Sequence, residues 1–157
     1  MNYSKLIFIG FIILAFFGCE QRPDFSKKIT IDKIWTYENE LKFPFAITDT
    51  DSNYDLILSL TYGLEFDYQN LYVKIITIYP DGNQDEDIIS LNLTDGSGLF
   101  LGDCGSKKCE IDLLLQERFK FKEAGSYEIT IIQNGRVDKL EDIYGAELKL
   151  YKIREKT

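Results

Sequence analysis

The chain predicts an all-β protein, a single antiparallel β-sandwich of about eight strands behind a lipoprotein signal peptide. Three observations carry this. Apolar side chains recur with a period of two from about Ile29 onward. Turn-forming clusters punctuate that pattern at short intervals, and no amphipathic helix stands out. A short apolar run near the start ends in Gly18-Cys19.

The first 18 residues have the three parts of a secretory signal. Lys5 is the positive n-region, Leu6 to Phe17 the apolar h-region, and Gly18 the small residue before the cut. About twelve apolar residues are too few for a bilayer-spanning helix, which needs about 20. A cysteine directly after the cut marks a bacterial lipoprotein, so Cys19 is the expected lipidation site. Each buried CH₂ contributes about 0.8 kcal/mol, and two or three acyl chains such as palmitate hold a protein firmly. The other readings are an uncleaved anchor, or an ordinary signal with an incidental cysteine. Residues 19–29 are expected as a lipidated polar tether containing Pro23, and residues 30–157 as the sandwich.

Lys42–Ile47 reads as the first strand, with Pro44 confining it to an edge or a bulge. Leu56, Leu58, Leu60 and Tyr62 then share one face, and Ile57, Ser59 and Thr61 the other. Leu71, Val73 and Ile75 alternate with Tyr72 and Lys74. That strand stops at Tyr79-Pro80-Asp81-Gly82, where proline presets φ and glycine accepts a positive one. Asp87–Leu93 follows, closed by Asp95-Gly96-Ser97-Gly98. Ile111, Leu113 and Leu115 mark another strand. Tyr127, Ile129 and Ile131 mark the next, and Ala146, Leu148 and Leu150 the last. Gly125-Ser126-Tyr127 suggests a tyrosine hydroxyl bonded at a sheet corner.

Composition excludes several functions. The chain has no histidine, which removes Ser–His and Cys–His catalysis and the common zinc sites. Its net charge of −8 becomes −9 once the segment holding Lys5 is removed, which argues against nucleic acid. The acidity reads as a solvated face that keeps a tethered domain soluble. Cys104 and Cys109 remain after Cys19 is assigned to lipid, and beyond the inner membrane they are a possible disulfide at a loop tip. They lack the two further soft ligands a metal needs, so no metal or cofactor is expected. Asp49-Thr50-Asp51-Ser52-Asn53 begins like a calcium loop. Tyr54 and Leu60 stand where an EF-hand needs glycine and glutamate, so it reads as an acidic turn. No pair among the 26 acids is marked for glycoside hydrolysis. Trp35, Tyr37, Phe43 and Phe45 form either core or a platform for sugar or protein.

Several segments in order resemble the gliding-motility lipoprotein GldH family of the Bacteroidetes. They are Tyr54–Leu60, Tyr68-Gln69-Asn70-Leu71-Tyr72, Tyr79–Gly82, Leu91–Gly102, Phe119–Tyr127 and Ile143–Leu148. The resemblance implies a part in gliding motility, which in that phylum is entangled with type IX secretion. It implies no catalytic residue. The function expected is a non-catalytic outer-membrane lipoprotein of the cell envelope, and it is expected to face the periplasm because Glu20-Gln21-Arg22-Pro23-Asp24 does not match the lysine-and-acid cluster of surface-exported lipoproteins. Its partners would be the membrane, through the lipid on Cys19, and other gliding or secretion proteins. The alternative is a carbohydrate- or ligand-binding envelope lipoprotein.

Overall fold

A computed structural model of the protein describes residues 22–154. Eleven strands form among them, and all the pairings are antiparallel. Eight are long: β1 (Phe25–Thr30), β3 (Leu41–Ile47), β4 (Tyr54–Gly63), β5 (Asn70–Ile78), β6 (Gln84–Asn92), β8 (Lys108–Phe119), β9 (Gly125–Gln133) and β11 (Ile143–Lys152). The other three, β2 (Ile34–Trp35), β7 (Asp103–Cys104) and β10 (Leu140–Glu141), have two residues each. One sheet runs β1-β11-β4-β8-β7 and the other β3-β9-β5-β6; β2 and β10 form a small ribbon. The all-β sandwich is the class expected from the sequence.

The period of two does the sorting. Along β3 burial alternates strictly, with Leu41, Phe43, Phe45 and Ile47 inward. Leu58, Leu60 and Leu148 come from one sheet and Phe43, Val73 and Ile131 from the other, and all are fully buried. Burying each such side chain contributes roughly 1.5–3 kcal/mol, so this shared layer is what closes the two sheets on each other.

Pro44 sits on an edge strand, as expected. The Lys42 carbonyl accepts a bond from Lys27 Nζ at 2.9 Å, so even-numbered residues of β3 turn their backbone groups outward. The nitrogen missing its proton at Pro44 therefore costs no ladder bond. At the other end of the same sheet, the β5–β6 hairpin closes through Gly82, whose φ is +83° and whose N–H donates to the Tyr79 carbonyl at 3.0 Å.

The structure corrects one boundary. Residues 25–29, expected in the tether, belong to β1, which pairs with β11 from Phe25↔Leu150 to Thr30↔Gly145. Lys27 and Lys28 masked the pattern, since only Phe25 and Ile29 of β1 pack against the core. Asp24 ties the start of β1 to β11 twice. Its N–H donates to the Leu150 carbonyl at 2.8 Å, and its carboxylate accepts from Lys152 N–H at 2.9 Å.

The chain enters β1 at one end of the sandwich. Phe25, Phe45, Tyr54, Phe119, Phe121 and Tyr127 cluster there, with successive rings 4.9–6.5 Å apart. Tyr127 completes the corner anticipated for it, its hydroxyl donating to the Glu123 carbonyl at 2.8 Å.

Candidate interaction surface

The lipidation candidate Cys19 lies outside the described residues. Cys104 and Cys109 are joined by a disulfide that cross-links β7 to β8, with Cα atoms 4.0 Å apart. Cys109 is buried and Cys104 exposed, so the bridge fastens the hairpin to the end of the core opposite Phe25. Lys108 in the same hairpin lies 3.4 Å over the Tyr144 ring.

The early aromatic residues do not form a platform. Trp35 and Phe43 are fully buried and Phe45 is nearly so; Trp35 Nε1 donates to the Asn39 carbonyl at 2.8 Å. Only Tyr37 of the four is exposed. Apolar burial won because these side chains fall on the inward register of β2 and β3. The Asp49 turn is likewise occupied by the protein itself. Asp49 accepts bonds from Asp51 N–H at 2.9 Å and Ser52 Oγ at 2.8 Å, and it pairs with Lys152. The Lys152 ammonium, then Ser52 and the Asp51 amide, hold its carboxyl far below the usual range.

An open cleft of about 320 Å³ lies at the end opposite Phe25, over Leu140 of the β2–β10 ribbon. Tyr68, Asn70, Tyr72 and Arg136 line it over Leu71 and Leu140. Tyr72 projects outward because it alternates with buried Leu71 and Val73. Tyr68 is backed edge-on by Phe66 at 5.5 Å, itself packed on Tyr62 at 6.2 Å. Buried Gln133 shapes the loop that carries Arg136. Its amide donates to the Val137 and Asp138 carbonyls at 3.2 and 2.8 Å, and its oxygen accepts from Gly135 N–H at 2.9 Å. Tyr37 adds a bond from its hydroxyl to the Gly135 carbonyl at 2.8 Å.

The cleft thus offers two half-exposed phenol rings, an amide and a guanidinium. Such a surface binds by stacking and hydrogen bonding. Tyr72 was legible as outward-facing from its strand register. Nothing in the sequence singled out Arg136, whose place depends on a loop folded around one buried glutamine.

A second groove, of about 190 Å³, opens at the β1 end beside Phe45, Phe119, Phe121 and Tyr127, rimmed by Lys120 and Lys122. Tyr79 borders it and donates to Asp85 at 2.8 Å. That bond, with burial behind it, pushes the Tyr79 hydroxyl up to about 12. Among the described residues no cluster of three potential metal ligands occurs.

Residues 25–149 match the family model described as GldH lipoprotein. A "Gliding motility lipoprotein GldH homolog" of Christiangramia forsetii is 27% identical over 147 residues, covering 91% of this chain and 90% of its own length. The "Gliding motility lipoprotein GldH" of Flavobacterium johnsoniae is 22% identical over 157 residues, covering 98% and 96%. Among solved structures, a carbohydrate-binding module specific for non-crystalline cellulose superposes with a TM-score of 0.38 at 10% identity. The superposition covers 81% of this chain and 72% of that one, and a likeness at this level carries no functional argument.

Proposed function

The chain belongs to the GldH lipoprotein family, and from that premise we propose that it is a lipid-anchored, non-catalytic component of the gliding machinery, linked to type IX secretion. It acts through protein–protein contacts, from the periplasmic face of the outer membrane, held there by acyl chains on Cys19. The observation that carries this reading is the extent of the family match, which runs from the start of β1 to residue 149 in β11 and so takes in every strand in whole or in part. The absence of histidine from the sequence supports a non-catalytic role. The tyrosine- and arginine-bearing cleft supports a contact role, since those residues are enriched where proteins dock.

The test is a clean deletion in the source organism, scored for colony spreading and for secretion of a type IX cargo. Loss of both, restored by the wild-type gene and not by Cys19→Ser, is the expected result. Normal spreading together with normal secretion overturns it. The cleft also favours a second reading, a carbohydrate- or ligand-binding envelope lipoprotein, because exposed phenol faces beside amide and guanidinium donors suit a sugar ring. Retention on insoluble polysaccharide, lost in Tyr68→Ala and Tyr72→Ala, would move that reading to the front.

A further inference from the structure

The two sheets leave four long outer edges, and three of them carry an obstacle to further pairing. β1 bears Lys27 and Lys28, and Lys27 reaches over to the Lys42 carbonyl. β3 carries Pro44. β8 breaks register twice against β4, and its start is covered by disulfide-linked β7. β6 differs. Its register with β5 runs unbroken from Asn70↔Asn92 to Ile78↔Gln84, it contains no proline and no lysine, and its charges are all acidic and confined to Asp85–Asp87, which a basic partner strand would neutralise.

Two backbone bonds fix which groups of β6 face out. Leu93 N–H donates to the Gln69 carbonyl, and Tyr79 N–H to the Asn83 carbonyl, each at 2.9 Å. Both bonds obey the register of the hairpin, so odd-numbered residues of β6 bond to β5. The backbone N–H and C=O of Gln84, Glu86, Ile88, Ser90 and Asn92 therefore point away from the sheet. No strand among the described residues covers them, and all five side chains are exposed, Ile88 to 56%.

The chemistry along this edge is divided. Its first half carries Asp85, Glu86 and Asp87. Tyr79 binds Asp85 and Lys74 pairs with Glu86 at 3.0 Å, while exposed Asp87 pairs with no cation among the described residues. The second half offers Ile88 on the outer face and half-buried Ile89 on the inner one. We propose that the outer edge of β6 takes an extended segment of a partner protein as an added strand, with lysine or arginine opposite Asp85–Asp87 and apolar residues opposite Ile88–Ile89. Main-chain bonds supply the attachment, and the acidic half selects a basic sequence and sets its direction. This deepens the protein-contact reading above and rests on it.

Two synthetic peptides of nine residues, the length of β6, test the edge. One has lysines alternating with valines in one half and valine, isoleucine and threonine in the other; its twin carries glutamates for the lysines. The lysine peptide should slow hydrogen exchange at the amides of Glu86, Ile88 and Ser90. Ile88→Pro removes one outward donor and no bond to β5, so it should keep the wild-type thermal midpoint and weaken binding about tenfold or more. Asp87→Lys cancels the remaining charge of Asp85 and should erase most of the preference for the lysine peptide. No protection of those amides at about 1 mM peptide overturns the proposal. So does equal binding of the two peptides, or a stable dimer of this chain formed through β6. In cells, a deletion without phenotype refutes the gliding role itself. A deletion that abolishes spreading, rescued as well by Ile88→Pro as by wild type, refutes the edge alone.

Discussion

Gly102 shows at the residue scale how one backbone position can hold a loop. Its φ is +94°, and a Cβ built there would lie 2.3 Å from the Glu110 carbonyl oxygen. Gly102→Ala should therefore lower unfolding stability by roughly 3 kcal/mol in urea titrations, from strain and steric overlap together. Next to it, fully buried Tyr62 places its hydroxyl 2.6 Å from the Leu101 carbonyl and 3.1 Å from that of Leu93. Tyr62→Phe should cost about 1–3 kcal/mol by the same measurement, since it leaves a buried acceptor short of its donor. Asp49 gives a pH-dependent case. Its folded carboxyl titrates below the ordinary value of 3.8, so its contribution is complete above that value and is lost as pH falls towards the folded one. Asp49→Asn should lower the thermal midpoint at neutral pH, and the gap to wild type should close progressively below pH 3.8. Buried Asp142 was not legible from the sequence. Its carboxylate accepts from Glu65 N–H and Tyr144 Oη, both at 2.9 Å, and a Cβ on Gly63 would overlap it. The Glu65 contact joins residues 77 apart, and no local pattern announces it.

Among the elements, long strands with clean alternation were legible and short or interrupted ones were not. β4, β5, β9 and β11 carry three or more apolar residues at every second position, which is why the sequence reveals them. β1 carries only Phe25 and Ile29, with Lys27 between them on the same face, and so reads as linker. β2, β7 and β10 are two residues long and exist only because their partners are already in place. The start of β6 was missed for a related reason. Gln84, Asp85 and Glu86 run beyond the covered core, so no buried side chain betrays them. The β7–β8 hairpin yields a prediction of its own. Its bridge spans a sequence separation of 5, and a ring that short removes about 2 kcal/mol of unfolded-chain entropy in the loop-closure model. Replacing Cys104 and Cys109 together with serine should lower stability by about that amount, and reductant should act on wild type in the same direction. Mass spectrometry with and without reductant reports the state of the bridge directly.

Taken whole, the chain passes back and forth between its sheets: from β3 to β4, from β4 to β5, from β6 through β7 to β8, from β8 to β9, and by way of β10 to β11. Neither sheet can leave without unthreading the other. Unfolding should follow one cooperative transition, with near- and far-ultraviolet circular dichroism melting together. Cys19→Ser should abolish metabolic palmitate labelling and release the protein from the membrane fraction. The early start of β1 then acquires a mechanical meaning. Only six residue steps separate Cys19 from Phe25, a leash of about 20 Å at full stretch. Were Cys19 acylated as proposed, that leash would hold the phenylalanine-rich end nearer the lipid headgroups than the tyrosine cleft. The protein would then search for partners by sliding in a plane, not by tumbling through a volume. A weak grip along one strand edge can suffice there, because confinement to a thin layer raises the local concentration that dilute solution would deny it.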